Sequence, residues 1–238
     1  MTDLSGPAGR RPGFALHRVE AFSDAVFAFA VTLLVVSLEV PRSAQELFRT
    51  LWGFPAFGIC FAFLGLIWFD HHSFFKRYPL TDLRTLVLNM VLLFVVLLYV
   101  YPMKFLFTLL VNGVLLKQSV GALNSVAETK TLMVVYGLGF LTVYAVLFLM
   151  HLHAWRQRGA LGLSPSECLE LAGRLRRFLI NGAVALLSIS LARFTSDAGS
   201  LAGWTYALLA PAQVANGAFT RSRMRRALAA GEAGLAAD

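Results

Sequence analysis

The sequence predicts an all-α polytopic membrane protein with six transmembrane helices. Three observations carry that reading: composition, the spacing of apolar runs and the placement of basic residues. Of the 238 residues, 58% are hydrophobic and 14% are charged, against about a quarter charged in a usual soluble domain. Mean hydropathy is +0.68. Disorder is excluded, because disordered chains are poor in apolar residues, and an ordinary water-soluble enzyme does not fit. The net charge of +8 would suggest nucleic acid in a soluble protein. Here the basic residues flank apolar runs, so the expected partner is the membrane lipid and not nucleic acid.

Residues 1–16 contain Gly6, Pro7, Gly9, Pro12 and Gly13 and read as a flexible cytoplasmic tail. Residues 17–219 form the membrane domain. A span needs about 20 apolar residues, and six runs meet that length: 22–40, 51–69, 83–101, 132–152, 178–194 and 201–219. Pro41 ends the first run. Pro102 is expected to interrupt the third, with the apolar stretch 105–116 as a bent extension. Residues 220–238 read as a basic, then Ala/Gly-rich, cytoplasmic tail. No short apolar segment with a cleavage site opens the chain, so no removed signal peptide is expected.

Fifteen of the 21 basic residues fall on one side of these spans: Arg10, Arg11, Arg18, Lys76, Arg77, Arg84, Arg156, Arg158, Arg174, Arg176, Arg177 and the four arginines of 221–226. Such an excess marks the cytoplasmic face. Both termini then lie inside, which agrees with an even number of spans. The six runs show no internal duplication, so a pore would need several copies of the chain. Cys60 and Cys168 have neither disulfide context nor metal-site spacing. No Walker loop, G-x-S-x-G, H-E-x-x-H or T-V-G-Y-G occurs. Catalysis and a bound cofactor are therefore not expected.

Asp24 stands just inside the first apolar run. A charge at the bilayer centre costs about 2.5–3.5 kcal/mol by insertion scales, less near the interface. Two readings stay open: a helix cap made with Ser23, or a network in which Arg18 is a candidate partner. On a helical wheel with Phe29 at zero, Phe22 and Val36 lie about 20° away, Leu33 about 40° and Thr32 about 60° on the other side. Asp24 lies about 140° away and faces a different neighbour. An apolar stripe of this kind more often meets lipid or another helix than a pore. Trp68 and His72 share a helix face, and Asn89 inside an apolar run reads as interhelical glue. His151 and His153 read as interfacial. Glu39 reads as an outer-mouth charge or a solvated helix end. Arg193 is expected to snorkel outward or pair with Asp197. The arginines of 221–226 read as stop-transfer charges attracted to anionic lipid.

Arg18-x-x-x-Phe22-Ser23-Asp24, followed by Ala25 to Leu34 with Thr32-Leu33-Leu34, resembles the signature of the transmembrane protein 175 family of potassium-permeable channels. Trp68, His72, Asn89 and Pro102 extend the match. The chain departs from the family at Ala25, where glycine is frequent, and at Phe29, where Ile or Leu is common. The resemblance implies a homotetramer whose first helices surround a central pore. Phe29 would form the hydrophobic constriction, Leu33 and Val36 would continue the lining, and Thr32 would bear on ion selection. Arg18, Phe22, Ser23, Asp24, Trp68, His72 and Asn89 would tie the first three helices together. The expected activity is a leak-like conductance for K⁺ with modest selectivity over Na⁺ and other monovalent cations, in a prokaryotic plasma membrane. A proton- or ion-coupled transporter is the alternative. Carriers usually show midplane charges and repeats, which these spans lack.

Overall fold

The computed structural model describes residues 12–36, 42–115, 125–195 and 200–235. Among them every regular element is helical. α1 (Pro12–Val36) opens on proline, whose missing N–H costs nothing in a first turn. The helix therefore starts inside the stretch expected to be a tail. α2 (Ala44–Trp52) is short and capped by Ser43, whose hydroxyl accepts the Glu46 N–H at 3.1 Å. Gly53 separates it from α3 (Phe54–Arg77), so Leu51 and Trp52 belong to α2 and not to the second span.

α4 (Leu83–Leu110) runs straight through Pro102, contrary to the expected break, and ends in a π turn at Val111–Leu115. Proline removes one backbone hydrogen bond. Burial of Met103 and Leu106 on either turn beyond it holds the helix together. α5 (Val126–Arg156) and α6 (Pro165–Phe194) both exceed their expected spans. A Ser164–Glu167 capping box starts α6 well ahead of residue 178. The sixth expected span is not one helix. It comprises α7 (Ser200–Trp204), a 3₁₀ turn (Thr205–Leu208) and α8 (Leu209–Leu235), which continues through the basic stretch expected to be a tail.

Four described helices are long and apolar enough to cross a membrane by length and composition: α3, α4 with its extension to Gly113, α5 and α6. α1 and α8 are not in that set. α1 carries Arg18, Glu20 and Asp24 in its first half, and α8 carries Arg221, Arg223, Arg225 and Arg226.

α5 packs along α6, α4 along α5 and α3, and α8 along α6. α4 and α5 approach closely at Gly139, where a Cβ would sit 2.2 Å from the Tyr99 ring. The Tyr99 hydroxyl donates to the Tyr136 carbonyl at 3.2 Å. His151 and His153 are buried, because α5 is flanked by packed helices. His151 Nδ1 donates to the Leu147 carbonyl at 2.8 Å, and the rings of Phe74, Tyr78 and Phe178 enclose it.

Ion pairs gather the basic residues at one end. Arg77 bonds Glu170, Arg177 bonds Asp70, and Arg176 donates to Asn216 (3.2 Å) and Thr220 (3.0 Å) of α8. Glu39 and Asp197 lie outside the described residues.

Candidate functional site on the first helix

α1 sits at the edge of the bundle and packs chiefly on α3 and α4. One face is buried: Ser23, Phe27, Ala30 and Leu34. These positions recur every three or four residues, as a single helix stripe requires. The opposite face is bare. Phe22 is 51% exposed and Phe29 56% exposed, and Ala25, Ala28 and Thr32 share that side.

Leu33, expected to continue the lining, is half-buried and packs against the core of its own chain. The wheel explains this, since Leu33 lies about 40° from Phe29 towards the buried stripe and Thr32 about 60° in the open direction. The side chain of Val36 is outside the described residues. Thr32 Oγ1 donates to the Phe29 carbonyl at 2.7 Å. Its proton is thus taken within the helix, and its lone pairs remain free to accept.

Polar bonds fix the rotation of α1. Asn89 of α4 donates through Nδ2 to Ser23 Oγ at 3.0 Å, and Ser23 donates to its own Val19 carbonyl at 2.8 Å. The amide oxygen of Asn89 accepts from His71 Nε2 of α3 at 2.7 Å. Because that oxygen can only accept, the neutral His71 ring carries its proton on Nε2. All three side chains are buried, so α1, α3 and α4 share one water-excluded hydrogen-bond chain. His71 also packs against Phe27 of α1, with ring centroids 5.5 Å apart.

Asp24 takes a partner from α3. Trp68 Nε1 donates to its carboxylate at 2.7 Å, and His72 stacks on Trp68 with centroids 5.3 Å apart. Of the two open readings for Asp24, the interhelical one holds, with Trp68 in the place considered for Arg18. Arg18 is exposed and borders a shallow groove beside Phe22 and Asn89.

Sequence reasoning passed over His71, Asp70 and Arg177. His71 and His72 are adjacent, so about 100° separates them: His71 turns inward to Asn89 and His72 outward to Trp68. The signal for His71 was its i+4 spacing to Phe75, a T-shaped ring pair 5.0 Å apart. Asp70 is buried on the α6 side of α3 and paired with Arg177. That partner is 107 residues away, which no local pattern reveals.

At the loop before α4, Asp82 accepts from Thr85 at 2.7 Å and from His153 Nε2 at 2.9 Å. Partial burial acts to raise the Asp82 carboxyl, but the bonds from Thr85 and His153 outweigh it and hold the group below the usual carboxylate range. Among the described residues no cluster of His, Cys, Asp and Glu has the makings of a metal site, and Cys60 and Cys168 are unpaired.

Fold and site together define a polytopic helical membrane protein whose first helix is keyed to two neighbours and leaves an aromatic face open. The chain belongs to the TMEM175 family. The model of that family, described as the endosomal/lysosomal potassium channel TMEM175, matches residues 18–99, the segment that holds most of α1, all of α2 and α3, and the first part of α4. A potassium channel of Marivirga tractuosa is 34% identical over 242 residues, covering 92% of this chain and 96% of that one. The crystal structure of a single-substitution variant of the potassium channel MtTMEM175, solved with a nanobody fusion, aligns with a TM-score of 0.76 at 34% identity, over 86% of this chain and 93% of its own. The crystal structure of a TMEM175 homologue from Chamaesiphon minutus shares the fold, with a TM-score of 0.60 at 22% identity over 84% and 97% of the two chains.

Proposed function

We propose that this chain is the subunit of a potassium-permeable channel, in which four copies place the open face of α1 around a common axis. The bare aromatic face of α1, opposite a fully keyed one, carries the reading. A helix in lipid alone needs no such rotational lock, whereas a pore-lining helix must hold one face inward. Relatives covering nearly the whole chain are potassium channels, which supports the same assignment.

Phe29 from each copy forms an apolar neck that closes by dewetting. Thr32, one turn further along, offers hydroxyl lone pairs in place of part of the ion's hydration. With no ring of backbone carbonyls, selectivity for K⁺ over Na⁺ is modest and the conductance leak-like. Six spans cross the membrane: the four apolar helices, α1, and a sixth made of α7, the 3₁₀ turn and the start of α8. The membrane is a prokaryotic plasma membrane, and the basic end with both termini faces the cytoplasm. K⁺ is cargo, and no resident cofactor takes part. A coupled carrier is disfavoured, because the buried Asp70, paired with Arg177, and the partly exposed pair Asp82–His153 lie towards the basic end and not at mid-span.

Single-channel recording in reconstituted bilayers tests the proposal. Phe29→Ala is expected to raise the current several-fold and weaken selectivity. Thr32→Val, which keeps the shape but removes the hydroxyl, is expected to lower K⁺/Na⁺ discrimination at unchanged expression. Unitary currents indifferent to both substitutions would reject the pore assignment.

A further inference from the structure

At the basic end, α3, α6 and α8 enclose a pocket of about 360 Å³ whose rim includes Arg77, Arg174, Arg177 and Arg221. Two of these charges are already compensated: Arg77 by Glu170 and Arg177 by Asp70. Arg174 and Arg221 form no ion pair or hydrogen bond among the described residues, and Arg177 Nε is buried without an acceptor. The pocket thus holds two positive charges in excess. Asn216 and Thr220, also in its lining, are already bonded to Arg176, and Glu170 adds one acidic group to the wall.

The pocket is amphiphilic. Phe69, 57% exposed, lines it on the side away from the end of α3. Phe69 lies eight residues before Arg77, so the lining extends about 12 Å along the helix into the apolar part of a membrane-spanning segment. A soluble anion has no use for that apolar flank. A lipid has, because its phosphate meets the arginines while an acyl chain follows the aromatic wall.

We propose that this pocket binds the phosphate headgroup of an anionic membrane lipid, clamping α8 to α3 and α6. Basic pockets between membrane helices on the cytoplasmic side suit such headgroups, and guanidinium forks match phosphate oxygens. The volume fits a headgroup and not a whole lipid.

The test is native mass spectrometry of the full-length protein in mild detergent, titrated with phosphatidylglycerol or phosphatidylcholine. Phosphatidylglycerol is expected to be retained in preference to phosphatidylcholine. Arg174→Gln with Arg221→Gln should weaken retention about 30-fold, and Arg221→Gln alone, on the exposed face of α8, about fivefold. Arg225→Gln with Arg226→Gln removes the same charge outside the pocket and should leave retention unchanged. Excess inorganic phosphate should not displace the lipid. Equal retention by the parent and both pocket variants overturns the proposal, as does equal retention of the two lipids. Displacement by inorganic phosphate also overturns it, and assigns the site to a soluble anion.

Discussion

Asn89 is the joint through which α4 holds both α1 and α3, and Asn89→Leu tests that joint directly. The side chain is 2% exposed, between Ser23 at 0% and His71 at 1%. Leucine fits the volume but removes the amide. His71 Nδ1 already lacks a partner among the described residues, so loss of the bond to Nε2 leaves the whole buried ring unsatisfied. A newly orphaned buried polar group costs about 1–3 kcal/mol. The lost bond to Ser23 adds about 0.6 kcal/mol, the average for interhelical bonds in membranes. Together these give about 1.6–3.6 kcal/mol of destabilisation. The assay is denaturant unfolding of the purified protein in detergent, with Ser23→Ala and the double variant closing a mutant cycle. A coupling of about 0.6 kcal/mol is expected between the two positions. In bilayers, Asn89→Leu should also alter the current, because α1 loses its rotational lock. A variant that unfolds at the parent midpoint, with zero coupling to Ser23, would refute the claim that this chain of bonds fixes α1.

Further outcomes follow from other contacts. Gly139→Ala places a methyl group 2.2 Å from the Tyr99 ring, and such overpacking should cost about 1–3 kcal/mol, measured by the same unfolding assay and relieved by Tyr99→Ala. Asp70→Asn strands the Arg177 charge and should cost about 3 kcal/mol, whereas Asp70→Leu with Arg177→Met should cost less; a comparison of unfolding midpoints separates the two. The carboxyl of Asp82 is held below its ordinary value, so its stabilisation is full above about pH 4, the unfolded value, and is lost as pH falls through the lower folded value. Asp82→Asn should therefore flatten the acid limb of the stability profile below about pH 4 and leave the neutral region nearly parallel to the parent. An unchanged acid limb would remove Asp82 from that role.

The helical membrane character of the chain was readable from hydropathy alone, because a bilayer span is a local property: length, apolar content and the absence of charge suffice. The polar lead-in Arg18–Asp24 was readable for a related reason, since an ionisable group inside an apolar run stands out without any partner in view. The wheel also separated Asp24 from the Phe29 face, and the structure keeps them on different sides. Boundaries were less legible. Pro102 looked like an interruption with a bent extension beyond it, because local chemistry opposes a helix there, yet α4 continues unbroken past it, with Met103 and Leu106 buried. The sixth run looked continuous, but Ser188 donates to the Ala202 carbonyl at 2.8 Å and Thr205 to the same oxygen at 2.6 Å, which fixes a 3₁₀ turn by contact with α6.

The sequence by itself determined that this chain is a bundle of apolar helices with a basic end and a first helix marked by polar residues. Only the tertiary structure decided which of those residues meet. It chose His71 over its neighbour for Asn89, gave Asp24 to Trp68 and joined Asp70 to Arg177. The physical reason is one of range. Hydrophobic transfer and helix periodicity act on residues a turn or two apart, whereas a buried hydrogen bond depends on where a distant helix brings its partner.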